Sequence, residues 1–192
     1  MASHPRDFEA LLARLTKEIE GSGFGFMLVG GQAVLLHGTP RLTEDVDLTL
    51  AAGPDALPAV LQVCDRLGLG PLPEDPESFV QETFVLPAAE PETGLRVDII
   101  FSTTPYERQA IERAVRVEIL GVPVPFATAE DLLIHKLFAA RPRDLEDAAS
   151  VVRRRGDSLD WGYLMRWARA FAEVPGRESM VERMEELRAD RG

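Results

Sequence analysis

The sequence predicts a mixed α/β fold, a small β-sheet flanked by helices, continued by a helical C-terminal region. Three observations carry this. Short apolar or alternating runs, FMLV, VDLTL and VDIIF, interleave with segments of helical period over the first two thirds of the chain. Residues 115–120 and 122–126 flank Gly121 as a tight hairpin. From Thr128 onward the apolar spacing is helical. The expected division is an α/β core over residues 1–127 and a helical region over 128–192 packed on it.

Taken in order, residues 7–20 place Phe8, Leu11, Leu12, Leu15 and Ile19 on one helical face, and Gly21-Ser22-Gly23 ends that helix. Residues 26–29 form a short buried strand. Gly30 and Gly31 lead from it into a short helix over 31–36, closed near Gly38-Thr39-Pro40. A strand follows over 46–50, with Asp45, Asp47 and Thr49 on one face and Val46, Leu48 and Leu50 on the other. Residues 54–67 read as a helix stopped by Gly68. PLPEDPE, residues 71–77, reads as a loop, 79–86 as a strand, and 87–94 as a polar turn. The returning strand, 95–101, sets Arg96, Asp98 and Ile100 against Val97, Ile99 and Phe101. Residues 106–114 form a short helix before the hairpin. Thr128 and Asp131 resemble a capping box ahead of a helix that carries Leu133, Ile134, Leu137 and Phe138 on one side. Pro142 opens the next helix, with Leu145, Ala148, Ala149 and Val152 at apolar spacing. Two more helices lie near 159–172 and 177–188.

Composition narrows the classes. At 192 residues and 45% hydrophobic content, the chain suits one globular domain with a helical extension. A formal net charge of −11 argues against broad adhesion to nucleic acid or anionic lipid. Cys64 is the one cysteine, so no disulfide framework exists and a reducing compartment is expected. The N-terminal stretch carries charges where a signal peptide has its apolar core, and no run approaches a membrane span. A soluble cytoplasmic protein without membrane association is the expectation. His4 falls in a stretch expected to be a mobile tail. His37 reads as structural, His135 beside Lys136 is expected to be partly exposed, and no zinc-ligand spacing is present.

The chemistry concentrates in FMLVGGQAVLLHGTPRLTEDVDLTL. Two residues apart on a strand, the Cα atoms of Asp45 and Asp47 lie about 6.6 Å apart on one face. Such a pair suits hard divalent cations, and Mg²⁺ favours a few carboxylates plus substrate phosphates. An acidic strand start would equally explain the spacing. Gly30-Gly31, at a strand-to-helix junction, leaves free amides and a positive dipole end for phosphate, or simply makes a tight turn. Asp98 sits on an otherwise apolar strand, where a carboxylate needs a metal or an ion pair, to Arg96 or Arg41. Together the three carboxylates suit a two-metal phosphoryl-transfer site, with Asp98 as metal ligand or base. Arg41 could bind phosphate or fix a carboxylate. Lys136 is one of two lysines, and Asp144 and Asp147 share a helical face.

GGQAVLLHGTPRLTEDVDL resembles the signature of the nucleotidyltransferase superfamily, the polymerase-beta-like fold. That signature is a Gly-Gly or Gly-Ser turn, then D-x-D or D-x-E, then a third carboxylate on a later strand. The sequence is similar to the prokaryotic branch that includes AbiEii-type toxins of toxin–antitoxin systems and relatives of antibiotic nucleotidyltransferases. DLLIHKLFAARPRDLEDAASVV also resembles that branch. The resemblance covers about residues 24–152. It implies that Gly30 and Gly31 contact phosphate, and that Asp45, Asp47 and Asp98 hold Mg²⁺ or Mn²⁺ and supply the base. It also implies that Lys136 reaches the triphosphate and that Asp144 and Asp147 support a nucleotide or acceptor pocket. Two departures stand out: Gly31 replaces a frequent serine, and Arg143 replaces a usual lysine. The implied activity is transfer of a nucleoside monophosphate from an NTP to a hydroxyl on a small molecule, a protein or an RNA end, with an antitoxin-like partner. The alternatives are a low-turnover nucleotide-binding module of such a pair, or a D-x-D glycosyltransferase, against which the upstream glycine turn argues.

Overall fold

The computed structural model describes residues 5–43 and 45–190, so His4 lies outside the described residues. The chain forms two compact units. One comprises the chain up to Leu28 together with Thr43–Phe126; the other comprises Val29–Leu42 and the chain from Ala127 onward. The expected single boundary after residue 127 therefore differs in one segment. Val29–Leu42 clusters with the helices, because its short helix has apolar residues to bury against them.

The first unit is built on a seven-stranded mixed sheet among the described residues. Its strands are β1 (Phe26–Leu28), β2 (Asp45–Leu50), β3 (Gly70–Pro71), β4 (Val85–Ala89), β5 (Arg96–Phe101), β6 (Val115–Ile119) and β7 (Val122–Phe126). They lie in the order β3-β4-β5-β2-β1-β7-β6. The β2–β5 and β1–β7 pairs are parallel, and the others antiparallel. The β6–β7 hairpin turns at Leu120 and Gly121, both with positive φ. Helix α1 (Pro5–Gly21) packs Leu11, Leu12, Leu15 and Ile19 inward, as its period predicts. Helix α3 (Leu57–Leu67) follows a 3-10 turn at Pro54–Ala56 and buries Leu57, Val60, Val63, Cys64 and Leu67. Gly68, at φ +73°, ends it in the left-handed conformation that glycine adopts without a Cβ penalty. Burial pushes the Cys64 thiol up to about 11, so it is an inert core group.

One expected element is different. Residues 79–86 do not form a strand: α4 (Pro76–Thr83) occupies most of them, and β4 begins at Val85. Asp75 caps α4, its carboxylate accepting the Ser78 amide at 3.1 Å, and Pro76 sits in the first turn. D-P-E-S is thus a helix start, although its proline and acids resemble a loop in composition. Helix α5 (Pro105–Arg113) completes this unit.

The second unit contains α2 (Gly30–His37), α6 (Ala129–Ala139), α7 (Pro142–Arg155), α8 (Trp161–Ala172) and α9 (Met180–Ala189). Thr128 caps α6, accepting the Asp131 amide at 3.1 Å. α2 packs against α6 and α7. Among the described residues no helix is long and apolar enough to cross a membrane.

Candidate functional site

The strands β2 and β5 run parallel in the register Asp45↔Arg96, Val46↔Val97 and Asp47↔Asp98. Register partners share a face, about 4.8 Å apart across the ladder. Val46, Leu48, Val97 and Ile99 are fully buried, which commits the alternate residues to the other face. Asp45, Asp47, Arg96 and Asp98 consequently form a two-by-two block of three carboxylates and one guanidinium. Asp45 is exposed and Asp47 half-buried.

Asp98 finds its counter-charge within this block. Arg96 Nε donates to Asp98 Oδ1 at 2.9 Å and Arg96 Nη2 to Oδ2 at 3.3 Å, with the Asp98 side chain 22% exposed and Arg96 47%.

A second charged cluster lies in the helical unit. Lys136 of α6 donates from Nζ to Asp144 Oδ1 at 2.9 Å and to Asp147 Oδ2 at 2.8 Å, with its side chain 8% exposed. Arg41 grips Asp147 through both oxygens, Nε and Nη2 each at 2.8 Å. Arg141 Nε donates to Asp144 Oδ2 at 2.6 Å. Asp144 and Asp147 occupy the inner face of α7, so its buried side is ionic as well as apolar. Burial works to raise both carboxyls, but hydrogen bonds from Arg141 and Lys136 hold Asp144 below the ordinary range, and those from Arg41 and Lys136 hold Asp147 there. Lys136, expected to reach a triphosphate, is paired with these two aspartates, and Arg41 holds the carboxylate of Asp147.

At the start of α2, Val29 offers no side-chain cap. Gly30 has φ +60°, a conformation in which a side chain would be strained. His37, at the other end, donates from Nε2 to Ala127 O at 2.8 Å. Burial, chiefly, keeps its pKa below the ordinary value, so it is a neutral structural imidazole.

Comparison with known proteins supplies the family. Residues 10–191 match the nucleotidyl transferase AbiEii toxin family, type IV TA system. The chain belongs to that family. It is accordingly a nucleotidyltransferase. No curated protein matches it significantly. Three solved structures share its fold. The antibiotic-resistance factor ANT(2'')-Ia is 14% identical, with a TM-score of 0.56 over 95% of this chain and 90% of that one. An antigenic nucleotidyltransferase-like protein from Paracoccidioides brasiliensis is 17% identical, with a TM-score of 0.56 over 94% of each chain. JHP933 from Helicobacter pylori is 17% identical, with a TM-score of 0.52 over 100% of this chain and 92% of that one.

For this AbiEii-family chain, the fit of a divalent cation can be judged on the carboxylate block. Three hard oxygen donors on one face of adjacent strands are the right chemistry for Mg²⁺. Their side chains do not converge, however. Among the described residues no group of three or more His, Cys, Asp or Glu side chains is close enough to hold a metal ion. Asp98 is paired with Arg96. Donor type and face suit a divalent cation, but the side chains as placed do not form a set that fits one.

One participant escaped the sequence. Arg141 holds Asp144, and its only signal was its place in the RPRDLED run. For Asp131 the sequence offered the cap with Thr128 but not the acceptance from the Tyr163 hydroxyl at 2.6 Å, since a pair 32 residues apart leaves no local pattern.

Proposed function

We propose that this chain transfers a nucleoside monophosphate from an NTP to an acceptor hydroxyl, in a Mg²⁺- or Mn²⁺-dependent reaction, at the Asp45–Asp47–Asp98 face of β2 and β5. The observation that carries this is the parallel register that sets Asp47 beside Asp98, with Asp45 one pleat along. The acceptor oxygen attacks the α-phosphorus, the bond to the bridging oxygen of the β-phosphate breaks, and pyrophosphate leaves. When bound, the cation neutralises charge on the phosphate oxygens and the leaving group. Asp45 and Asp47 would hold it. Asp98 completes the ligand set or takes the acceptor proton.

The Gly30 and Gly31 amides at the start of α2 cradle phosphate oxygens, where a side chain would obstruct close approach. Lys136, Asp144, Asp147 and Arg41 act as a positioning cluster that fixes α6, α7 and the segment after α2. The family's toxin–antitoxin character supports a cytoplasmic location, a cognate antitoxin partner, and an acceptor whose modification harms the cell. That acceptor is a small molecule, a protein or an RNA end.

The test is incubation of the chain with each α-labelled NTP, Mg²⁺ or Mn²⁺ and a cell extract. Label transfer is expected with the parent and not with Asp45→Asn/Asp47→Asn, a loss of at least about a thousandfold. Transfer that survives the double substitution, or needs no divalent cation, would sink this mechanism. NTP binding with no transfer under any condition would favour a nucleotide-binding module instead.

A further inference from the structure

We propose that β6 is a self-pairing edge, and that two copies of this chain join there through an antiparallel β6–β6 ladder centred on Val117.

β6 ends the sheet, and among the described residues β7 is its only strand partner. The opposite edge is β3, two residues long and carrying Pro71, which blunts it against pairing. β6, VRVEI, has five residues and no proline. Leu120 and Gly121 both have positive φ, so the β6–β7 turn is a two-residue primed turn, and its flanking pair, Ile119 and Val122, is hydrogen-bonded. Bonded and non-bonded pairs alternate along an antiparallel ladder, so Val117–Val124 and Val115–Phe126 are bonded as well. The prolines agree. Pro123 and Pro125 have no N–H, and they face Glu118 and Arg116 at the positions that make no bond. Arg116 and Glu118 therefore turn their N–H and C=O groups to the open edge.

In a self-paired ladder, outward groups must meet outward groups, so the two-fold axis passes through a residue and not between two. An axis at Arg116 opposes two guanidiniums, and an axis at Glu118 opposes two carboxylates; like charges directly opposed are destabilising. An axis at Val117 sets Arg116 of each copy opposite Glu118 of the other and pairs the whole strand. On the other face Val117 meets its own copy, and Val115, 39% exposed, meets Ile119. The apolar row Val124–Val117 then continues across the axis. Edge charges commonly keep strands apart. These two have opposite signs and stand two residues apart, so they attract in this register alone. Arg116 already meets Glu20 through Nη2 at 2.8 Å and the Pro123 carbonyl through Nη1 at 3.0 Å. A guanidinium has further N–H donors for a second carboxylate.

Sedimentation equilibrium on the full chain tests this. A concentration-dependent dimer is expected, and a weak one, because a ladder this short buries little area. Glu118→Arg, and separately Arg116→Glu, each turn two attractive pairs into two repulsive ones and should weaken the dimer about tenfold or more. Mixed together, these two variants should recover the association of the parent, because every opposed pair again has opposite signs. Arg116→Glu/Glu118→Arg should recover it alone. Recovery on mixing also shows that neither variant has misfolded. With oxidised glutathione as oxidant, Val117→Cys should give a dimer linked by one symmetrical disulfide, and Val115→Cys, which faces Ile119 instead of its own copy, should not. Cys64 is buried and does not compete. A chain that stays monomeric at all concentrations overturns the proposal. A dimer that charge reversal leaves unchanged, or that Val115→Cys links as readily as Val117→Cys, uses another surface or register and overturns it equally.

Discussion

Asp131 shows what a buried charge needs. It is fully enclosed on α6, and its carboxylate accepts from the Tyr163 hydroxyl at 2.6 Å and from the Thr128 hydroxyl at 2.6 Å. Removing the phenolic oxygen would leave an acceptor short of a donor in a dry setting, where the desolvation cost is felt in full. Tyr163→Phe is expected to lose about 1–3 kcal/mol of stability in urea unfolding. A change under about 0.3 kcal/mol would mean that water replaces the hydroxyl. One turn along, His135 has its pKa pushed down to about 4, mainly by burial, with Asp131 opposing and Lys136 reinforcing the shift. It is neutral at pH 7, which matters for the acid behaviour of the whole chain.

At the scale of elements, α2 and α7 meet where there is no room for a Cβ. One added at Gly38 would lie 2.5 Å from Ser150 Oγ and 3.2 Å from Val151 Cγ2. Ser150 Oγ also accepts the Thr39 amide and donates to Asp147 O, which ties the end of α2 to α7 near the ionic cluster. Gly38→Ala is expected to destabilise the chain by about 1–3 kcal/mol, as overpacking does. Ser150→Ala in the same chain should return part of that loss, since it removes the nearest atom. If the pair is no better than Gly38→Ala alone, the contact is not the cause. Measured transition midpoints decide between the two outcomes. The α4 segment makes a second point at this scale. Its helix is set by an Asp cap and a first-turn proline, both legible in sequence; they were outweighed by the β-like run that follows them.

For the whole molecule, acid should act in two stages. His135 has a folded pKa of about 4, below the ordinary value of about 6.5, so the unfolded chain binds more protons between them. Its contribution is complete above about pH 6.5 and is lost as pH falls toward 4. Asp144 and Asp147 have folded pKa values held below the ordinary carboxyl range. Their contribution is present above about pH 3.9 and is lost only as pH falls further, through the folded values. Stability measured by denaturant at stepped pH should thus decline between about 6.5 and 4, then decline again below about 4. His135→Asn should shrink the first stage, leaving the part that His37, also lowered by burial, contributes, and should leave the second unchanged. A single fall confined to low pH would refute the role given to His135.

By itself, the sequence determined the mixed α/β order, the helical tail, and the side of its own strand on which each of Asp45, Asp47 and Asp98 stands; that these sides coincide is set by the β2–β5 register. Periods of 2 and 3.6 are local and bind each residue to a side of its own element. The family too is read from sequence, by the match over residues 10–191, and the glycine turn and carboxylate pair close together in the chain resemble its superfamily's signature. The tertiary structure alone decided which charges meet. Arg41 meets Asp147 across 106 positions, and Lys136 stands between Asp144 and Asp147. Val29–Leu42 joins the helices rather than the sheet unit. Asp98 turns to Arg96, a neighbour that sequence could offer only as one of two candidates. Ion pairing and packing between elements depend on register and crossing in three dimensions, and no local pattern in the chain encodes them.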